Sequence, residues 1–223
     1  MQKKVYDSYD ERYYQERTTR SKKHIIKFII FLKGNIEKNI KWLDIGCGSG
    51  HLVRDAIEEG IDAYGVDVSK YAVENAVVKD RVSYGSMEEI PFGNEFFNVI
   101  SAIDVIEHVN PENVEEALSE TFRVLKPHGL LILTTPNPYH VGDWVHDLTH
   151  VCVRPPKFWK GVLEKVGFEV RLAYVPVFLK YCVGVTVFLP DSVVFWLEEP
   201  LRYILGRLMS ARGRLYILAK KGR

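Results

Sequence analysis

The sequence predicts an α/β domain built on a doubly wound, mainly parallel sheet, and three observations carry that expectation. Short apolar runs alternate with helix-patterned segments from residue 40 onward. A glycine-rich turn, Asp44-Ile45-Gly46-Cys47-Gly48-Ser49-Gly50, follows the first such run. The 223 residues suffice for one well-buried core but are short for two, since domains commonly run to about 100 to 200 residues.

In chain order, apolar Ile25, Ile26, Ile29, Ile30 and Leu32 recur at helical spacing, which predicts a helix over 21–38. Strand 40–45 then leads through the glycine turn into helix 51–59. Strand 63–66, helix 69–78, strands 81–84 and 97–103, and helix 111–125 follow. The turn Lys126-Pro127-His128-Gly129 precedes strand 130–134. After a loop over 135–154, Pro155 and Pro156 open a helix to Val166 that Gly167 caps, and strand 168–175 begins. Strand 214–219 closes the fold. Segment 176–213 breaks the alternation and is expected to be an apolar helical insertion, with Pro200 dividing its helix.

Composition excludes several classes. The net charge of +1 gives no overall electrostatic pull toward nucleic acid. Cys47, Cys152 and Cys182 are widely spaced and form no CxxC or Cys/His cluster, which argues against a disulfide framework or a zinc site and fits a reducing cytoplasm. Residues 1–23 lack the apolar run of a secretory signal, and the uncharged run between Lys180 and Asp191 is far short of the ~20 residues a membrane-spanning helix requires. The expected protein is cytoplasmic.

Open α/β sheets bind ligands at the carboxyl ends of their strands, where a glycine turn exposes backbone amides. The loop Asp44–Gly50 occupies that place, and Asp67, at the end of the next strand, stands where an acidic side chain accepts from ribose hydroxyls. That spacing also suits a nicotinamide cofactor. The glycine order does not: it reads GxGxG, with His51 where a dinucleotide fingerprint has its third glycine.

Five ordered segments now carry a resemblance: Trp42 to Gly50, Gly65-Val66-Asp67, Gly85-Ser86-Met87-Glu88-Glu89-Ile90-Pro91-Phe92, Asp104-Val105-Ile106-Glu107-His108-Val109, and Arg123-Val124-Leu125-Lys126-Pro127-His128-Gly129. Over roughly residues 40–175 and again at the final strand, the chain resembles class I S-adenosylmethionine-dependent methyltransferases, in their ubiquinone-type, small-molecule O-methyltransferase branch. The resemblance implies a Rossmann-like seven-stranded sheet, mainly parallel with an antiparallel last strand, and S-adenosylmethionine as cofactor. It implies a cofactor site in the loop with Asp44, Gly46, Cys47 and Gly48. Gly46 and Gly48 would face the methionine part, Asp67 the ribose and Val68 the adenine. Ser86 and Met87 would flank the ring, Ala102 and Ile103 would line the methionine end, and the tyrosine-rich segment 1–39, with Tyr9 and Tyr13, would be a lid.

Methyl transfer is an in-line displacement at a carbon already activated by the sulfonium, so the enzyme aligns its acceptor and excludes water. A hydroxyl acceptor also needs its proton removed, because a phenol pKa near ~10 leaves little anion at neutral pH. Histidine suits that task. His150, in the loop after the fifth strand, is the first candidate, and His108, just after the fourth, is the second. The segment 143–158 resembles the acceptor side of O-methyltransferases that act on quinone precursors, sugars and lipid-linked glycans. Some relatives bind a divalent ion through an ExxEH pattern, which suits magnesium or another hard ion. Here the pattern is Asp104-x-x-Glu107-His108, with His150 available to complete it, and the shorter first carboxylate leads to the expectation of no metal site.

The expected function is methyl transfer to a small or lipid-linked acceptor, most simply a hydroxyl. A non-catalytic cofactor-binding regulator, an RNA methyltransferase and, least favoured, a nicotinamide oxidoreductase are the alternatives. Segment 176–213, with apolar Phe195, Trp196 and Leu197 followed by arginines, allows peripheral membrane contact or a homodimer.

Overall fold

A computed structural model describes residues 39–138, 147–172 and 214–222. The sequence expectations for the helix at 21–38, the lid with Tyr9 and Tyr13, and the insertion at 176–213 lie outside the described residues.

Strands β1 (Lys41–Ile45), β2 (Asp62–Asp67), β3 (Val82–Tyr84), β4 (Phe97–Ile103), β5 (Leu125–Pro136), β6 (Phe168–Leu172) and β7 (Arg214–Lys221) form one seven-stranded sheet in the order β3-β2-β1-β4-β5-β7-β6. The pairs β3·β2, β2·β1, β1·β4 and β4·β5 are parallel, while β7 runs antiparallel to both β5 and β6. Among the described residues the helices are α1 (His51–Glu58), α2 (Lys70–Glu74), α3 (Val114–Val124) and α4 (Pro156–Val166). The strand order reverses between β1 and β4. An open sheet offers its ligand crevice there, at the carboxyl ends of the strands.

Strand alternation sorts side chains to the two faces. In β1, Trp42 joins Leu52, Val53, Ala56, Ala63 and Val99 in a core beneath α1, while Leu43 and Ile45 join Ile100, Leu131, Leu133, Leu118, Trp159 and Leu163 in the larger core beneath α3 and α4. In β5, Leu130 and Ile132 pack on the α1 side, and Leu131 and Leu133 on the α3/α4 side. Gly167, at φ 113, ends α4 in the left-handed conformation, as the sequence suggests.

Two elements differ from the sequence expectation. Helix α2 stops at Glu74 instead of continuing to Val78, because the chain leaves the helix for Val77 N to donate to Ser49 O at 3.0 Å, which ties it to the glycine loop. Strand β5 begins at Leu125, where the helix was expected to end, and runs through the expected turn at 126–129, because Leu125 pairs with Phe97 across an irregularity in register. The left-handed His128 (φ 63) lies within that stretch.

Candidate active site

The cofactor half grows out of β1 and β2. Gly46 N donates to Val66 O at 2.8 Å, folding the loop back over the next strand. Gly46 has φ 69, and a Cβ there would stand 2.5 Å from Val105 Cγ2, so a side chain is excluded by conformation and by space alike. The loop thereby lies directly against the turn that leaves β4. Gly65 has a parallel role, since its Cβ would meet Cys47 Sγ at 2.5 Å.

Asp67 is buried at the carboxyl end of β2. Its Oδ2 accepts from Gly48 N at 2.7 Å and its Oδ1 from Ser69 N at 2.9 Å, so the carboxylate holds the glycine loop in place. Asp44 is engaged differently. Trp42 Nε1 donates to Ser101 Oγ at 2.9 Å, and Ser101 donates to Asp44 Oδ1 at 2.6 Å, a buried chain that binds β1 to β4 under the loop. Sequence reasoning missed Ser101, whose only signal was a hydroxyl inside an apolar strand.

Of the adenine-side candidates, Val68 and Ser86 are half-buried at the strand ends, and the Ser86 hydroxyl accepts from Glu88 N and Glu89 N. Met87 is 2% exposed and packs in the core with Val66 and Ile90, so contact with a ring beside Ser86 falls to its backbone. The loop is clamped from behind. Arg123 donates to Ile90 O, Phe92 O and Asn94 Oδ1, while Glu120 Oε1 accepts from Ile90 N at 3.0 Å. The ion pair with Arg123 holds the Glu120 carboxyl below its ordinary range. Ala102 and Ile103 are buried at the end of β4.

The acceptor half joins two distant segments. The 3-10 turn Ile106–His108 follows β4, and the turn at 147–150 follows β5. Glu107 O accepts from both Val151 N and Cys152 N at 2.9 Å, which stitches the segments together. Asp147 Oδ1 accepts from Thr149 N and from Thr149 Oγ1, and Asp147 O accepts from His150 N at 3.1 Å. Thr149 O in turn lies 3.1 Å from His108 Nδ1. Since a carbonyl oxygen only accepts, that contact calls for a proton on His108 Nδ1. The His108 and His150 rings meet edge to face, with centroids 4.8 Å apart. His150 Nε2 is 3.6 Å from Asp147 Oδ2, a charge contact longer than a hydrogen bond.

Glu107, fully buried, completes the group: one donor atom from each of Glu107, His108 and His150 lies within 4.8 Å of the other two, an arrangement that can hold a metal ion. Asp104 is not among the three. It is left-handed (φ 57), and its Oδ1 accepts from Thr134 Oγ1 at 2.9 Å. The sequence expectation of no metal site therefore meets a donor set of two imidazoles and one carboxylate. Such a set suits zinc or iron-type ions better than it suits magnesium. Burial pushes the Cys152 thiol above its ordinary pKa, against the opposing pull of Arg154.

A glycine loop at the switch point of this sheet, with an acidic side chain closing the next strand, defines an α/β protein that binds a nucleoside-bearing cofactor. The chain matches the family model described as "Methyltransferase domain" over residues 13–173. It belongs to that methyltransferase family, an enzyme family, and its fold is that of the class using S-adenosylmethionine as methyl donor. It is 30% identical over 173 residues to the ubiquinone biosynthesis O-methyltransferase of Rickettsia canadensis, covering 66% of this chain and 70% of that protein. It is 33% identical over 123 residues to the protein of the same name from Pelagibacter ubique, where it spans half of the relative's length. The fold superposes on an S-adenosylmethionine-dependent methyltransferase of Archaeoglobus fulgidus with TM-score 0.65 at 22% identity, covering 95% of this chain and all of that one. A phosphoethanolamine N-methyltransferase of Haemonchus contortus, solved with S-adenosylmethionine, gives TM-score 0.60 at 21% identity, covering 90% of this chain and 53% of that one. Among the described residues, no helix is long and apolar enough to cross a membrane.

Proposed function

We propose that this methyltransferase acts as a single catalytic unit on a hydroxyl of a small or lipid-linked acceptor, with His150 and His108 handling the acceptor proton. The carrying observation is the convergence of Glu107, His108 and His150 beside the turn that meets the glycine loop. The O-methyltransferase names of the relatives support oxygen as the attacking atom.

In this reading Gly46, Gly48, Asp67, Val68 and Ser86 would hold the cofactor, which would supply the methyl group. The acceptor hydroxyl sits against the histidine pair. His108, oriented by Thr149 O, presents Nε2 to the acceptor side. His150 takes the proton, with the Asp147 carboxylate 3.6 Å from its Nε2. Proton removal concentrates charge on the acceptor oxygen, which would attack the methyl carbon of bound S-adenosylmethionine, the O–C bond forming as the C–S bond breaks and S-adenosylhomocysteine leaves. A divalent ion held by Glu107, His108 and His150 would instead lower the pKa of a coordinated hydroxyl, with the histidines acting as ligands in place of bases.

The test is transfer from trideuteromethyl S-adenosylmethionine to a panel of catechols, lipid extracts, sugars and amines, with products read by mass. Label on oxygen supports the reading. Label confined to amines refutes it.

A further inference from the structure

Buried hydroxyls in the described parts of this protein follow a rule with one exception. Ser69 Oγ accepts from Ala72 N, Ser101 Oγ donates to Asp44, Thr121 Oγ1 donates to Ala117 O, and Thr134 Oγ1 donates to Asp104. Thr135 is 0% exposed, yet its Oγ1 has no hydrogen-bond partner among the described residues. A buried hydroxyl without a partner costs stability that valine, of the same shape and equally suited to a strand, would not.

Its position gives the exception a meaning. Thr135 lies at the carboxyl end of β5, in register with Leu215 of β7. Alternation puts it on the face of Leu131 and Leu133, opposite Thr134, in the core layer that also holds Ile106, Val109 and Cys152. Ile106 and Cys152 flank the stitch that brings Glu107 and His150 together. The hydroxyl therefore stands on the face of the core that Ile106 and Cys152 share, at the carboxyl edge of the sheet.

We propose that Thr135 is an acceptor-contacting residue whose hydroxyl hydrogen-bonds an oxygen of the acceptor. This rests on the hydroxyl-acceptor reading above. Thr134 fixes the turn after β4, while Thr135, its neighbour on the opposite face, is reserved for the ligand. The retained cost of an unpartnered hydroxyl is a signature of binding function rather than of folding.

The experiment compares wild type with Thr135→Val and Thr135→Ser, using 3,4-dihydroxybenzoate as probe in the presence of S-adenosylhomocysteine. Three quantities are measured: the melting temperature without ligand, S-adenosylhomocysteine affinity, and probe affinity by calorimetry. For Thr135→Val we expect a melting temperature at or above wild type, unchanged S-adenosylhomocysteine affinity, and probe affinity lower by about tenfold, the size of one lost hydrogen bond. Thr135→Ser should keep probe affinity. Equal probe binding by wild type and Thr135→Val overturns this assignment alone. A Thr135→Val melting temperature several degrees lower also overturns it, by showing that the hydroxyl has a partner within the fold. Wild type that binds S-adenosylhomocysteine but not the probe overturns the hydroxyl-acceptor reading and this assignment with it.

Discussion

The two halves of the crevice are built by different means. In the proposed reading most of the cofactor half comes from one stretch, residues 44 to 87, with Ala102 and Ile103 added at the end of β4, and much of what the stretch presents is backbone held in place by glycines and by the Asp67 carboxylate. The acceptor half consists of side chains brought together from afar: the contact that orients His108 crosses 41 residues. A backbone-made site tolerates little change in shape, whereas a side-chain site can exchange its chemistry while the scaffold stays intact. This is how one fold serves many acceptors.

The sharpest way to break that comparison is to disable the halves one at a time. His150→Ala should lower kcat by about 10²- to 10⁴-fold, the range for a lost general base, with S-adenosylhomocysteine affinity unchanged by calorimetry. An equal loss in both quantities would mean that the halves are not separable. Gly46→Ala is expected to do the reverse. Its Cβ would meet Val105 Cγ2 at 2.5 Å, so cofactor affinity should fall by about 100-fold or more, a penalty of roughly 3 kcal/mol for combined strain and overpacking. Titration with S-adenosylhomocysteine reads it directly.

Asp67→Ala comes next. Loss of charge-assisted hydrogen bonds should weaken S-adenosylhomocysteine by about 10- to 100-fold, with kcat at saturating cofactor close to wild type. Because Asp67 also holds Gly48 N, Asp67→Asn is expected to retain part of the affinity, its side-chain oxygen still accepting from one amide.

The smallest effect sharpens the role of the clamp behind the adenine-side loop. The carboxyl of Glu120 is held below its ordinary range by Arg123. A depressed carboxyl contributes stability that is present above its unfolded pKa and lost as pH falls through its folded one. Glu120→Gln should therefore lower the melting temperature by a few degrees at neutral pH and flatten the acid limb below about pH 4. Melting curves across pH check this. An unchanged acid limb would show that the pair contributes nothing.

The same contrast explains what was legible in the sequence. The glycine loop, Asp67 and the alternation of strands and helices are local patterns, and the structure reproduces them, including Gly167 as the cap of α4. The early end of α2 was hidden because the competing bond, Val77 N to Ser49 O, comes from tertiary structure. Met87 reads as a loop residue, but the loop turns its side chain into the core. In the acceptor half the sequence offered His108 and His150 as candidate bases, and the resemblance let His150 complete a set with Asp104, Glu107 and His108. Nothing local could say that their rings meet, that Glu107 joins them, or that Asp104 is taken by Thr134. Thr134 and Thr135 are identical in sequence and opposite in environment, a difference visible only once the strand has two faces.

The most direct measurement is transfer of label from trideuteromethyl S-adenosylmethionine to 3,4-dihydroxybenzoate by wild type and by the His108→Ala, His150→Ala double variant, each at saturating cofactor. A singly methylated ether from wild type, absent from a variant that binds S-adenosylhomocysteine as tightly as wild type, is the expected result. Methylated ether formed at the wild-type rate by the double variant would contradict the assignment of the acceptor site to these histidines.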